Sequence, residues 1–226
     1  MRITLIYDNE VYKEGLEADW GFSCLVEAEN KKILFDTGAS GRILLSNMEK
    51  LKIEPSSIDE VFISHPHFDH TGGLSDFLDK NRDVKIYVPS SFKENLNAKE
   101  VIYVKETIKL HENTRPSDGA SLQSNECIFS TGELEGIEQS LCVKTEKGIV
   151  VIVGCSHPKL ENILKVASQF GKVYALIGGL HGFKDFDLLN DLKLVCPCHC
   201  TQHKLEIKSL YSEKYVEGGA GKIIEI

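Results

Sequence analysis

The chain has 226 residues, 42% hydrophobic and 27% charged, with a formal charge of −8; it can bury a substantial core in one domain, expected to span 1–226, and its composition is that of an ordinary globular protein. The acidic balance argues against a broad nucleic-acid-binding face. No stretch approaches the roughly 18 apolar residues of a bilayer span, and the opening segment turns polar at Asp8 and Asn9 without a signal-peptide core, so a cytoplasmic protein with no membrane partner is expected.

Short runs rich in Val and Ile predict strands at Ile3–Tyr7, Cys24–Glu27 and Lys32–Phe35. Ser40 is placed to cap a helix carrying Ile43, Leu44, Met48 and Leu51 on one face. Strands follow at Val61–Ser64 and Lys85–Val88. From about 89 to 126 the pattern degrades: Asn95, Asn97, Asn113, Pro116, Asp118 and Gly119 predict an irregular excursion walling one side of a cleft, with His111 exposed on it. Further strands are expected at Glu126–Phe129, Ser140–Val143, Ile149–Val153, Val173–Ile177, Leu194–Cys196 and Ile223–Ile226. A helix beginning near Pro158 carries Leu160, Ile163, Leu164, Ala167 and Phe170 at helical spacing and stops at Gly171. Two more are expected near Phe186–Leu192 and Gln202–Tyr211.

His65-Pro66-His67-Phe68-Asp69-His70 is the most informative string. It follows a β-branched run, and residues two apart on extended chain point the same way, which puts His65 and His67 together. Neutral imidazole and carboxylate suit zinc, iron or manganese. The string can serve two ions, one through His65 and His67 and one through Asp69 and His70. Of the seven cysteines, Cys24, Cys127 and Cys142 lie in apolar runs and read as core thiols. Cys196, Cys198 and Cys200 alternate too closely for an iron–sulfur cluster, and a disulfide framework is not expected in a cytosolic chain. His203 is expected to be exposed or to support the site from behind.

His-x-His-x-Asp-His resembles the hallmark of the metallo-β-lactamase superfamily. The agreement extends to Phe35-Asp36-Thr37-Gly38, Gly154-Cys155-Ser156-His157, Ile177-Gly178-Gly179-Leu180-His181 and Cys196-Pro197-Cys198-His199-Cys200-Thr201. Together with Tyr7-Asp8-Asn9, Gly21-Phe22-Ser23 and Gly218-Gly219-Ala220-Gly221, this set is most similar to the branch typified by dihydropterin-aminobenzene-phosphate synthases. The resemblance implies an αββα sandwich: two mixed sheets face to face, with helices on both outer faces and the catalytic loops at one edge.

It also implies roles. His157 completes a first metal site with His65 and His67; His199 completes a second with Asp69 and His70. Cys155 stands where the superfamily often has a bridging Asp and is either a thiolate ligand or a core thiol. Asp69 and His181 are the candidate catalytic residues, and His181 reaches the metals or grips substrate. Asp36 fixes a metal-binding His from behind, or else caps a turn. The expected cofactors are two divalent ions, zinc first, with manganese or iron as alternatives. The glycines at 178–179 and 218–221 would let backbone amides approach a substrate. The expected activity is metal-dependent hydrolysis of an ester or phosphoester of a small molecule, anionic ones included. Alternatives are a synthase-like transferase, or a sensor or redox protein on the same scaffold. A nuclease is disfavoured for want of a basic arm. Two departures stand out: the usual third-motif His is missing, its nearest counterpart being Ser130-Thr131-Gly132-Glu133, and Cys155 replaces the usual Asp.

Overall fold

The computed structural model describes residues 1–112 and 127–226, and in it the β-branched runs are covered on both faces, as near-continuous apolar strands require. Among the described residues one sheet has seven strands: β1 (Arg2–Tyr7), β2 (Ser23–Ala28), β3 (Lys31–Phe35), β4 (Glu60–Phe62), β5 (Lys85–Pro89), β6 (Glu100–Val104) and β13 (Ile223–Glu225), in the order β13-β1-β2-β3-β4-β5-β6. The second has six: β7 (Ile108–Glu112), β8 (Cys127–Ser130), β9 (Leu141–Thr145), β10 (Gly148–Val153), β11 (Val173–Gly179) and β12 (Leu194–Cys198), in the order β12-β11-β10-β9-β8-β7. Each sheet is mixed. The strands β3 to β6 run parallel to one another, as do β10 to β12, and the remaining pairings are antiparallel.

Alternation along the strands builds three apolar layers. Phe35, Phe62, Val150 and Ile152 point between the sheets and meet Phe22, Ile128, Leu141 and Ile177. Their sequence neighbours point outward. Leu34 and Val61 pack on Ile43, Leu44, Met48 and Phe77 of the helices α1 (Gly41–Lys50) and α3 (Leu74–Lys80). Val151 and Val153 pack on Ile163, Ala167 and Ile207 of α4 (Leu160–Ser168) and α5 (Lys204–Leu210). Three apolar layers separate four structural ones: this is the αββα sandwich. Helices cross over between β3 and β4, β4 and β5, and β10 and β11, whereas β11 reaches β12 through only a 3₁₀ turn and β5 reaches β6 with no helix; a short α2 (Phe68–Thr71) follows β4.

The structure departs from the sequence-based expectation in four places. The stretch from 89 is not wholly irregular: β6 adds to one sheet edge and β7 to the other. Tyr103 on β6 is exposed; the strand nevertheless carries a short apolar run, Val101-Ile102-Tyr103-Val104, set among polar residues. The remainder, 113–126, lies outside the described residues. His111 is not at the surface; it is half-buried on β7 and its Nε2 lies 2.8 Å from Oε2 of the buried Glu60 on β4, a polar tie between the sheets. The segment at Phe186 forms only a 3₁₀ turn, Phe186–Leu189, and Ser40 occupies the N-cap of α1 without a side-chain cap bond. No helix among the described residues is long and apolar enough to cross a membrane.

Phe62 stacks on Phe35 with ring centroids 5.5 Å apart, immediately before the histidine string. Phe62→Ala is expected to cost about 3–5 kcal/mol, seen as a lower urea midpoint at unchanged slope. Leu205→Ala, on the exposed face of α5, should move the midpoint by no more than about 0.5 kcal/mol.

Candidate metal centre

The carboxyl ends of the parallel strands of both sheets converge at one edge. Asp36 follows β3, His65 to His70 follow β4, Cys155 to His157 follow β10, His181 follows β11 and His199 follows β12. The chain leaves four of these strands through a left-handed residue: Asp36, Ser156, His181 and His199 have φ of 52°, 58°, 42° and 46°. Asp and His tolerate this conformation better than most residues, yet it costs of order 1 kcal/mol or more and persists only where the surroundings impose it.

The potential ligand atoms fall into two groups, each with all its atoms within 4.8 Å of one another: His65, His67 and His157, and Asp69, His70, Cys155 and His199. The rings of His65, His67 and His157 stand 4.6 to 4.7 Å apart in a triangle, and those of His65 and His70 lie 4.1 Å apart, joining the groups. His65, His70, Cys155 and His199 are buried, while His67 is exposed. His181 belongs to neither group; it is exposed on the rim, its ring 5.4 Å from that of His157.

Hydrogen bonds fix which ring nitrogens face the centre. The buried Asp36 carboxylate accepts from the Ser64 amide and hydroxyl, both at 2.7 Å. The Ser64 hydroxyl has thus spent its only proton, so at 2.9 Å from His65 Nδ1 it must accept. His70 Nδ1 donates to the same carboxylate at 2.6 Å. His199 Nδ1 donates to Asn9 Oδ1 at 2.9 Å; that Asn9 oxygen also accepts from the Gly21 amide, and Asn9 Nδ2 donates back to the His199 carbonyl, which fixes the amide orientation. All three rings therefore carry Nδ1–H and turn the Nε2 lone pair inward, as metal-binding imidazoles held from behind do.

Inside the centre, potential ligand atoms crowd together. His199 Nε2 stands 3.1 Å from Asp69 Oδ2, and His70 Nε2 stands 3.2 Å from Cys155 Sγ. The buried Nε2 atoms of His65 and His157 have no hydrogen-bond partner, a rare state for buried polar atoms. Burial, with the neighbouring imidazoles, drives the pKa of His65 far down and pushes that of His157 down to about 4, so both are neutral. Burial would raise the pKa of Asp69, but the neighbouring His199 and His70 rings outweigh it and lower it. The donor set is neutral imidazole, carboxylate and thiol at short mutual range, which fits divalent zinc, manganese or iron.

Several supporting residues escaped the sequence analysis. The buried Glu138 carboxylate accepts from the amides of Gly154, Cys155, Ser156 and His157 at 2.9–3.2 Å and so shapes the loop that presents Cys155 and His157. The signal available was an acid and an amide, Glu138-Gln139, directly before an apolar strand. Trp20 donates from Nε1 to Asp69 Oδ2 at 2.9 Å. The third-motif segment stays out of the centre: Ser130 donates to Gln139 Oε1 at 2.8 Å, and Glu133 accepts from the Ser90 hydroxyl and the Ser91 amide. The glycine pair does not serve substrate approach as expected. A Cβ on Gly178, whose φ is +127°, would collide with the Val153 carbonyl, and one on Gly179 would stand 2.7 Å from Cys200 Sγ. Both glycines let strands pack. His203 is half-buried, 3.1 Å from Glu206 and outside both groups.

Residues 21–185 match the family model of the metallo-beta-lactamase superfamily. A 7,8-dihydropterin-6-methyl-4-(beta-D-ribofuranosyl)-aminobenzene-5'-phosphate synthase of Methanocaldococcus jannaschii is 30% identical, over 98% of this chain and 95% of its own length. An uncharacterised protein of the same organism, MJ0448, is 29% identical over 99% of this chain and all of its own. Among solved structures, Tm1679, described as a metal-dependent hydrolase of the beta-lactamase superfamily, superposes with a TM-score of 0.73 at 26% identity, over 100% of this chain and 99% of that one.

Asp36→Asn should weaken metal binding at both groups, directly through His70 and through Ser64 at His65, by about 10–100-fold, the usual effect of losing a carboxylate that holds a ligating imidazole. Calorimetric titration of zinc into chelator-treated protein reads this directly, and circular dichroism should show the fold retained.

Proposed function

This chain belongs to the metallo-β-lactamase superfamily, and from that premise we propose that it is a metal-dependent hydrolase working through two divalent ions, zinc first. The observation that carries the proposal is the convergence of ligand atoms: three imidazoles whose Nδ1–H is held from behind aim Nε2 toward a carboxylate and a thiol. His65, His67 and His157 would hold one ion; Asp69, His70, His199 and Cys155 would hold the other. Two such ions supply an activated water and Lewis-acid polarisation of an ester or phosphoester.

The chain's own residues do the rest. Asp36 and Ser64 keep His70 and His65 from rotating. Asn9 does the same for His199, and Trp20 holds Asp69 Oδ2, leaving its other oxygen unengaged by that bond. Glu138 fixes the loop on which Cys155 and His157 ride. His181 stands at the rim, free of both groups, where it can hand a proton to a departing alkoxide. A groove of about 490 Å³ beside Phe68, lined also by Thr71, Leu78, Arg82 and Asn95, is of a size for a small molecule. We place the enzyme in the cytoplasm, where seven cysteines without a disulfide are at home.

A second reading is favoured by the 30% identity to the pterin-linked synthase: the same residues would serve a transferase that joins a phosphate-bearing substrate to a pterin. Two tests separate the possibilities. Elemental analysis of protein purified without chelator should find near two equivalents of metal, and His67→Ala should lose one with the fold intact; unchanged metal content would sink the ligand assignment. With phosphoester and lactone substrates, His181→Gln should lower kcat by about 10²–10⁴-fold, the range for a lost general acid, at unchanged metal content. Turnover confined to pterin donors would favour the transferase.

A further inference from the structure

None of the seven cysteines is in a disulfide, and two stand apart from the others. Cys155, in the loop after β10, and Cys200, in the loop after β12, place their Sγ atoms 3.3 Å apart. They approach from different loops, across the end of β11. Gly179 makes the approach possible, since a Cβ there would stand 2.7 Å from Cys200 Sγ and 3.2 Å from Cys155 Cα. Each keeps a few per cent of its surface open, 4% for Cys155 and 6% for Cys200.

The other close pair is different. Cys196 and Cys198 are two apart on one strand, 3.7 Å between sulfurs, and wholly buried in the layer between the sheets. Side chains at such positions run side by side from one strand face, which suits a disulfide poorly. Cys155 alone among the seven also touches the metal centre, 3.2 Å from His70 Nε2.

We propose that Cys155 and Cys200 form a redox pair that closes to a disulfide and thereby removes one of the two ion sites. The reaction with a low-molecular-weight disulfide RSSR is two successive exchanges. One thiol, its proton lost to solvent, attacks a sulfur of RSSR; the S–S bond breaks and RS⁻ leaves to take up a proton. The second thiol then displaces the remaining RS group from the mixed disulfide. The products are the Cys155–Cys200 bond and two RSH, with the two thiols oxidised and RSSR reduced. Bond formation rests on the placement of the sulfurs alone. Loss of the ion site rests on the proposed role of Cys155 as a ligand, because a disulfide sulfur no longer offers a thiolate. A bound ion in turn holds Cys155 back from exchange, so the metal-free protein is the sensitive form.

The test exposes reduced, chelator-treated protein to 2-hydroxyethyl disulfide, then alkylates it in denaturant and maps the peptides. The expected result is a Cys155–Cys200 cross-link with the other five thiols alkylated. The oxidised protein should rebind one zinc equivalent fewer than the reduced, and dithiothreitol should restore it. Zinc-loaded protein should react more slowly. Cys200→Ser, with Cys200→Ala as a second variant should the first misfold, should bind as much zinc as the reduced wild type and lose none on oxidation. Both thiols still alkylatable after treatment, or closure of Cys196 on Cys198 instead, overturns the pairing. A mapped Cys155–Cys200 bond with full zinc rebinding overturns the coupling to the centre. Zinc binding by reduced Cys155→Ser separates the two layers: a full complement there refutes the ligand role itself, independently of whether the bond forms.

Discussion

Three donors meet on one buried carboxylate, and much of this molecule's working edge depends on that meeting. Asp36 accepts the backbone and hydroxyl protons of Ser64 and the Nδ1 proton of His70. The three bonds tie the end of β3 to the end of β4 and to α2. Through Ser64 they also determine how His65 presents its ring. A charge so deeply buried is tolerated because its oxygens are saturated with donors. Remove the carboxylate and two imidazoles from different groups lose their tautomer together. The two metal groups are thus coupled through what lies behind them, apart from any ligand they share.

How much could be read from the chain follows from how far each interaction reaches along it. His65, His67, Asp69 and His70 are adjacent, so their convergence needs only a strand and a tight turn, and the strand announces itself as Val61-Phe62-Ile63. The apolar run Ile149–Val153 was legible for the same reason, because burial on both faces leaves little room for polar residues. Of the partners of these residues, Asp36 was legible through the family resemblance; the others were not. Asn9 meets His199 across 190 positions and Trp20 meets Asp69 across 49, and nothing local in either segment signals its companion. Glu138 sat unmarked in a polar stretch until the fold placed four amides on it. The edge strand β7 is hidden by its polar positions Lys109 and His111, whereas β6 carries the apolar run Val101–Val104 and was readable as a strand.

The departures from the superfamily pattern acquire a physical sense in the fold. Where a third-motif histidine is usual, Ser130 and Gly132 form a small brace: the Gly132 amide donates to Ser130 Oγ at 3.0 Å, and Ser130 donates to Gln139. Gln139 in turn donates to the Ile63 carbonyl at 2.9 Å, two residues before His65. The segment has exchanged a ligand for a scaffold. His157 occupies the corner left open, brought there by the turn at Ser156 and held by its amide bond to Glu138.

Trp20 is the single tryptophan of the chain. It is 55% exposed, its ring lies 4.9 Å from that of His199, and its N–H rests on Asp69. Its excited state is therefore coupled to two of the groups that face the centre and to none of the apolar layers. The emission of this tryptophan thus reads the state of the working edge, where an open-shell ion such as copper or cobalt would quench it.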